Sequence, residues 1–301
     1  MPSSASTFPA HHAEWAPTSP AVLALVLGRR VYLASGPAWA ASLRPLAAAT
    51  GGRQGRADTT YSQVWGGRPG LWWAPTSSHL AYTTFPCTST PCHTMVVAGH
   101  PLPQLSLHVV KVEEEGREEG EEEQGDDEEE DVTVHLPTST SYLTSVSWVN
   151  SSTLCLRLVT RNQTSSSLHL CSAPSFTCHQ VEAVAAPAQV YQEQVAPAAL
   201  AELSVAPLVC GGTAVAVGLV REGRAGRFPQ VVAVDLAAGR AAPLTLGTSS
   251  VAEVRVWWGT DQVVGWDRRR GEVYYTASPA EAPHTRHVYR VAAAPRPQVP
   301  R

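Results

Sequence analysis

The sequence predicts an all-β protein built as a partial β-propeller of about four to five blades, each a four-stranded antiparallel sheet. The first observation is composition: the 301 residues include 22 Gly and 24 Pro but only 16% charged residues, which is typical of many short strands joined by turns. The second observation is a short motif that recurs along the chain, each time ahead of an apolar segment, as expected for repeated structural units.

The repeated motif joins a tryptophan to a turn and then to an apolar run. W-A-P-T-S occurs at residues 15–19 and again at residues 73–77, and looser copies begin at Trp148 and near Val205. We interpret the aromatic residue as the end of one strand, the Pro and small polar residues as the turn, and the apolar run as the returning strand. Units of about 50–75 residues with about four strands are typical of propeller blades, which must stack because one sheet cannot bury both its faces alone.

The remaining strands are expected in short apolar or alternating segments. No segment shows sustained helical periodicity; residues 182–203 come closest, but Pro187 and Pro197 interrupt them, and we interpret them as a loop. In chain order, the expected strands are Val22–Val26, Arg30–Ala34, Leu80–Tyr82, Leu105–Val112, Val132–Leu136, Ser167–Leu170, Ala214–Val217, Gln230–Leu236, Glu272–Thr276 and His287–Val291.

Charge is distributed unevenly along the chain. Residues 113–131 hold 14 of the 26 acidic residues and one of the 22 basic ones, which leaves a net charge of +9 on the rest. This run lies between two alternating segments, so we expect a disordered acidic insertion at a hairpin tip: a solvated loop or, alternatively, a tail for cations or a basic partner. The arginines elsewhere are scattered, with one run of three at residues 268–270, so nucleic acid is not an expected partner.

Several segments occur in the order found in one known family of propellers. Leu71-Trp72-Trp73-Ala74-Pro75, followed by Leu80-Ala81-Tyr82, is similar to the L-W-W-S-P…L-A-Y segment of the dipeptidyl peptidase IV family. The resemblance covers residues 13–291 and implies an incomplete propeller of that family, with residues 1–12 unassigned and residues 292–301 an unstructured tail. Further matching segments are Ala98-Gly99, Ser106–Val109, Val146–Val149, Leu168–Cys171, Glu272–Tyr275 and Arg286–Val291.

The resemblance also implies what catalysis would need. Peptidases of the family carry a Ser-Asp-His triad on an α/β-hydrolase domain after the propeller, with the serine in a G-x-S-x-G turn. That motif is absent from this sequence, so we expect no hydrolase domain and no catalytic residue in this chain. The family propeller binds the substrate's N-terminal ammonium with a glutamate pair. Aligned on the L-W-W segment, those positions hold Ser62 and Gln63, which are uncharged, so the amine anchor is expected to be lost.

Three functional hypotheses follow from these residues. The first is a non-catalytic propeller that gates access to a hydrolase domain and presents binding surfaces to a protein or peptide. The alternative is a fragment of an active membrane serine exopeptidase that releases X-Pro or X-Ala dipeptides, its catalytic domain lying outside this chain. The third is an unrelated cytosolic scaffold. None of them requires a cofactor.

The six cysteines decide little by their number alone in a chain of this length. The resemblance implies a disulfide that closes a short hairpin between Cys171 and Cys178; the alternative is two buried free thiols. Cys87 and Cys92, followed by His93, form an incomplete zinc set without an obvious fourth ligand, so no metal is expected. Cys155 and Cys210 lie in apolar strands and are interpreted as packed core thiols.

Two sequons bear on localisation. Asn150-Ser-Ser and Asn162-Gln-Thr are N-glycosylation acceptor triplets. No stretch reaches the roughly 18–20 apolar residues of a membrane span, and no signal peptide is recognised. The resemblance nevertheless implies a location at the extracellular face of the plasma membrane or secretion, a membrane-anchored full-length protein, and a homodimer of that protein as one option.

Overall fold

A computed structural model describes most of the chain, namely residues 10–36, 42–46, 52–58, 61–62, 65, 69–86, 105–112, 131–136, 141–160, 166–180, 208–210, 212–222, 226–251, 263–267 and 269–293. These residues form 21 β-strands in five antiparallel sheets. The predicted all-β, propeller-type fold class is therefore confirmed. Among the residues just named, no helix has the length and apolar character needed to cross a membrane.

Each sheet is formed by strands that are consecutive in the sequence. Sheet A contains β1 (Ala10–Trp15), β2 (Val22–Leu27), β3 (Arg30–Ser35) and β4 (Arg44–Pro45). Sheet B contains β5 (Gly52–Gln54), β6 (Leu71–Trp73), β7 (His79–Pro86), β8 (Ser106–Lys111) and β9 (Asp131–Val134). Sheet C contains β10 (Ser141–Asn150), β11 (Thr153–Thr160), β12 (Ser166–Ser172) and β13 (Thr177–Gln180). Sheet D contains β14 (Leu208–Cys210), β15 (Thr213–Glu222), β16 (Gly226–Asp235) and β17 (Arg240–Pro243), and sheet E contains β18 (Ser250–Val251), β19 (Val263–Asp267), β20 (Glu272–Ser278) and β21 (His287–Ala292).

In two sheets, one strand position is divided between two short strands. In sheet B, β5 pairs with residues 84–86 of β7, and β6 pairs with residues 80–82 of the same strand. In sheet E, β18 and β19 share β20 in the same way. Residues 55–70 therefore leave sheet B and return to it at one point along the edge of β7.

The central strands are apolar on both faces because each packs between two neighbouring sheets. On β15, Ala214 lies in the cluster shared with sheet C, and the next residue, Val215, lies in the cluster shared with sheet E. On β11, Leu154 faces sheet B and Cys155 faces sheet D. Side chains alternate between the faces of a strand, so a near-continuous apolar run is needed where both faces are covered. Four such clusters join consecutive sheets from A to E.

The repeated tryptophan motif links each sheet to the one before it. The indole Nε1 of Trp73 donates a hydrogen bond to the carbonyl of Glu14 at 3.3 Å, and that of Trp148 donates to the carbonyl of Trp72 at 2.9 Å. In both cases the acceptor immediately precedes the tryptophan of the preceding motif. The turns also meet, since the backbone N–H of Thr18 donates to Ser77 Oγ at 2.9 Å. The motif therefore does more than close a hairpin, because it connects adjacent blades.

The expected strand–turn–strand reading of the motif is confirmed, because β1 and β6 end at Trp15 and Trp73 and β2 and β7 follow the turns. Some expected boundaries shift. β1 begins at Ala10, within the segment left unassigned, and β21 extends to Ala292, into the expected tail. Asp131, expected to end the disordered insertion, begins β9 instead: it pairs with Val110 of β8, and its carboxylate accepts a 2.7 Å hydrogen bond from the hydroxyl of Tyr82. The rest of the acidic run, residues 182–203, Cys87, Cys92 and His93 lie outside the described residues.

Candidate functional site

Residues 55–70, here called the 55–70 loop, project from sheet B through a narrow base. Thr83 on β7 accepts a hydrogen bond from the backbone N–H of Gly55 at 2.8 Å and donates its own N–H to the carbonyl of Gly70 at 3.0 Å. Gly70 in turn donates to the carbonyl of Gly55 at 3.0 Å. Gly55 has a φ of +62°, and a Cβ at Gly70 would overlap the hydroxyl of Thr83. The base therefore requires both glycines: one for its conformation and one for the close approach of β7.

A capped helical turn forms the body of the loop. Asp58 Oδ1 accepts a hydrogen bond from the backbone N–H of Tyr61 at 2.7 Å, and the carbonyl of Asp58 accepts one from Ser62 at 2.8 Å. The carbonyl of Tyr61 accepts a further hydrogen bond from Trp65 at 2.8 Å. This is the geometry of an N-cap followed by a helical turn. The carboxylate of Asp58, 4% exposed, thus holds the turn through its Oδ1 atom.

Two aromatic residues anchor this turn between sheets B and C. Tyr61 is 2% exposed and Trp65 is 4% exposed, and their ring centroids lie 5.0 Å apart. The indole of Trp65 donates a 2.8 Å hydrogen bond to the carbonyl of Leu143 on β10, and Tyr61 packs on Phe85 of β7. Burial raises the pKa of Tyr61, so its phenol is neutral at physiological pH. The sequence analysis did not identify these anchors; their four-residue spacing, typical of one face of a helical turn, was the available signal.

Ser62 is exposed beside the buried Tyr61. The capped turn and its aromatic anchors thus present position 62 to solvent on a fixed backbone. Gln63, the second residue predicted to align with the family's glutamate pair, lies outside the described residues. Asp58 is the single acidic residue of the 55–70 loop in the sequence, and its carboxylate faces the backbone of the loop.

The foot of the loop carries basic side chains from three elements. The backbone N–H of Gln54 donates to the carbonyl of Arg29 at 2.9 Å, which joins β5 to the turn between β2 and β3. Arg53 and Arg56 flank this contact in the sequence, and Arg56 Nη1 lies 3.0 Å from Nε2 of His11. Burial and then the charge of Arg56 lower the pKa of Arg53, and the charge of Arg29 adds to the effect.

The remaining sequence-predicted residues lie elsewhere. Cys171 and Cys178 face each other on β12 and β13 and form a disulfide, with their Cα atoms 4.0 Å apart. Cys155 is a buried free thiol whose pKa burial raises to about 12, in keeping with the expected core role. Within the parts of the chain that the structure describes, no group of three His, Cys, Asp or Glu side chains is placed to hold a metal ion.

Asn150 lies at the turn between β10 and β11. Its carboxamide Oδ1 accepts hydrogen bonds from the backbone N–H of Ser152 at 2.8 Å and from the hydroxyl of Ser152 at 3.1 Å. The asparagine and the hydroxyl residue of this sequon are therefore in contact, and the Asn150 side chain is exposed. The second sequon, at Asn162, lies outside the described residues.

Comparison with known protein families identifies the propeller. The family described as "Dipeptidyl peptidase IV (DPP IV) N-terminal region" matches residues 6–300. Since this match covers nearly the whole chain, the protein belongs to the dipeptidyl peptidase IV N-terminal region family. No curated protein matches the sequence.

Solved structures share the same fold. The crystal structure of Porphyromonas gingivalis dipeptidyl peptidase 4 superposes with a TM-score of 0.68 over 97% of this chain, at 16% identity. A Bacteroides ovatus protein described provisionally as a dipeptidyl aminopeptidase IV superposes with a TM-score of 0.59 over 93% of this chain, at 14% identity. The chain spans 39% and 38% of the length of these two proteins. At these identities the likeness concerns the fold alone.

Proposed function

We propose that this region acts as a non-catalytic propeller of a dipeptidyl peptidase IV-like protein, gating access to a hydrolase domain and presenting a surface to protein or peptide partners. The observation that carries the proposal is the state of position 62. A capped, aromatically anchored turn presents it to solvent, yet the residue there is Ser62, at a position where the family resemblance predicts a glutamate. A neutral hydroxyl lacks the charge-assisted hydrogen bonds that hold an ammonium group.

The second candidate is a fragment of an active membrane serine exopeptidase that removes X-Pro or X-Ala dipeptides. The family membership favours it, since the family name refers to a dipeptidyl peptidase. The two functions differ in one requirement, because an active aminodipeptidase must recognise the free N-terminus of its substrate. Discrimination between free and blocked N-termini therefore separates them.

Peptide binding to this chain tests the proposal. We would measure the affinity of Ala-Pro-Ala and of its N-acetylated form by calorimetry, for the unaltered chain and for Ser62→Glu. The unaltered chain should bind both peptides equally or not at all, and Ser62→Glu should favour the free amine by roughly tenfold or more, since hydrogen bonds to charged groups contribute about 1.5–3 kcal/mol. Ser62→Gln, which has the same length without the charge, is the matched control. Strong preference of the unaltered chain for the free amine would contradict the proposal.

A second measurement concerns the longest natural polypeptide that contains this region. We expect it to leave Ala-Pro-p-nitroanilide intact and to remain unlabelled by a fluorophosphonate, a probe that reacts with activated serines. Hydrolysis together with labelling would establish the exopeptidase alternative.

We also propose that the region is exposed outside the cell and is glycosylated at Asn150. The exposed amide and the contact between Asn150 and the hydroxyl of Ser152 support this proposal. Expression through the secretory pathway should give a band that peptide N-glycosidase F shifts, and Asn150→Gln should remove the shift that Asn150 contributes. Ser151→Ala, which leaves the triplet functional, is the control. Complete occupancy of Asn162 with none at Asn150 would contradict the role given to the turn.

A further inference from the structure

Three arginines, Arg29, Arg53 and Arg56, form what we call the basic foot. Hydrogen bonds of the neighbouring backbone fix the positions of their Cα atoms. Gln54, 2% exposed, donates its N–H to the carbonyl of Arg29 and accepts a 3.1 Å hydrogen bond from the N–H of Val31 on its side-chain oxygen. Its neighbour Arg53 is therefore fixed beside the turn that carries Arg29. Arg56 follows Gly55, whose position is set by the contact with β7.

The balance of charge at the foot is positive, because three guanidinium groups and one carboxylate, that of the buried Asp58, interact there. Burial, followed by the charges of Arg56 and Arg53, lowers the pKa of His11, so its imidazole is neutral at physiological pH and adds no charge. On the same strand, the carboxylate of Glu14 lies 3.6 Å from Nε2 of His12.

The foot adjoins the segment that carries position 62, since the capped turn starts two residues after Arg56. In the proposed interaction role, this end of the 55–70 loop is where a peptide would approach. Guanidinium groups bind carboxylates through paired, charge-assisted hydrogen bonds. A site that offers guanidinium groups and no exposed acidic side chain on the described part of the loop favours carboxylates over an ammonium.

We propose that the basic foot binds acidic segments of a peptide or protein. The proposal rests on the interaction role proposed above and assigns the chemistry of the partner. Two of the three arginines, Arg29 and Arg56, are exposed, so they are the groups that reach the ligand, while the half-buried Arg53 supplies charge from behind them. A peptide is favoured over nucleic acid because the other arginines are scattered along the chain, with one run of three at residues 268–270, so the foot is a small basic cluster and not part of an extended basic surface that could follow a phosphate backbone.

The chain carries an acidic segment of its own. Residues 113–130 include 13 acidic residues; the proposal assigns the site to an acidic segment of a partner, and binding of the chain's own segment is a competing outcome of the test. A variant in which these residues are replaced by a short Gly-Ser linker distinguishes the two sources. If its affinity for an external acidic peptide exceeds that of the unaltered chain, the chain's own segment competes for the site.

The test uses N-acetylated, fluorescein-labelled octaglutamate and fluorescence anisotropy at about 50 mM salt, where surface electrostatics are weakly screened. Binding by the unaltered chain or by the linker variant is expected, and it should weaken as salt is raised. Arg29→Glu combined with Arg56→Glu should reduce affinity by roughly tenfold or more, since two attractions at exposed positions are both converted into repulsions. Arg29→Gln combined with Arg56→Gln should give a smaller loss, with the circular dichroism spectrum unchanged.

The matched control is Arg240→Glu combined with Arg286→Glu, which changes net charge equally on exposed positions of sheets D and E. Equal loss in both pairs of variants would overturn the assignment to the foot and leave a general charge effect. Absence of binding by both the unaltered chain and the linker variant would also overturn it. So would tighter binding of a single-stranded oligonucleotide that Arg29→Glu with Arg56→Glu abolishes. Because the probe has no free amine, these outcomes are independent of the test at position 62.

Discussion

Replacement of Trp148 by phenylalanine tests the connection between neighbouring blades. Trp148 begins the third copy of the repeated motif, is 8% exposed, and donates its indole N–H to the carbonyl of Trp72 at 2.9 Å. Its ring also packs against Phe176, at 6.2 Å between centroids and 90° between planes. Phenylalanine keeps an aromatic ring at this position but removes the donor and part of the volume.

The expected loss has two physical sources. Leaving the partly buried carbonyl of Trp72 without its partner costs about 1–3 kcal/mol. Reducing the indole to a phenyl ring leaves unfilled space between sheets B and C and costs about 1–2 kcal/mol more. We therefore expect Trp148→Phe to reduce the free energy of unfolding by about 2–5 kcal/mol, a large fraction of the about 5–15 kcal/mol typical of a folded protein.

Trp15 provides a matched control, because it is the equivalent residue of the first motif but is 55% exposed. Trp15→Phe should change stability by less than about 0.5 kcal/mol, as usual for surface substitutions. Both variants would be unfolded in urea and followed by far-ultraviolet circular dichroism, with equal m-values required for the comparison. Equal midpoints for Trp148→Phe and Trp15→Phe would refute the idea that the motif tryptophans bind adjacent blades together.

The other predictions concern the loop base, the disulfide and a buried imidazole. Gly70→Ala should lower the free energy of unfolding by about 1–3 kcal/mol because its Cβ would overlap Thr83 of β7. Gly265→Ala should change it little, because no atom lies within 4 Å of a Cβ at that position. Equal urea midpoints for the two variants would contradict the close approach of Gly70 to β7. Replacing Cys171 and Cys178 by serine should lower the free energy of unfolding by about 2–3 kcal/mol. A reductant should lower the free energy of unfolding of the unaltered chain by the same amount but leave that of the double variant unchanged. Burial, followed by the charge of His179, lowers the pKa of His169 from 6.5, so the unfolded chain binds a proton at this imidazole more tightly than the folded chain does. The stability associated with the neutral imidazole is therefore complete above pH 6.5 and is lost as the pH falls. His169→Gln should flatten the dependence of the melting temperature on pH between about pH 7.5 and pH 5.5, and an unchanged slope would contradict this.

The sequence predicted the disulfide, but the roles of the glycines at the base of the 55–70 loop became known only from the structure. The pairing of Cys171 with Cys178 was available from the family resemblance, because both residues belong to one short hairpin. The roles of Gly55 and Gly70 were not, since their function depends on Thr83, which lies on another strand. Close approaches of this kind arise from the three-dimensional path of the chain and leave no regular pattern in the sequence.

At position 62, too, the sequence predicted the residue type and the structure supplied its surroundings. The alignment on the L-W-W segment indicated that an uncharged residue replaces a carboxylate. It did not indicate that Asp58 caps the turn, that Tyr61 and Trp65 anchor it, or that Arg29 lies at its foot. Arg29 is 24 residues from Arg53 in the sequence, and only the packing of sheet A against sheet B brings the two together.

The sequence by itself determined the all-β class, the strands and the repeat, because apolar alternation, turn residues and a recurring motif are local properties of the chain. The tertiary structure decided how the repeats are joined. The indoles of Trp73 and Trp148 bind carbonyls 59 and 76 residues away, while the equivalent Trp15 remains largely exposed. The physical reason is that hydrogen-bond acceptors and burial are set by neighbouring sheets, so three copies of the same residue type acquire different surroundings.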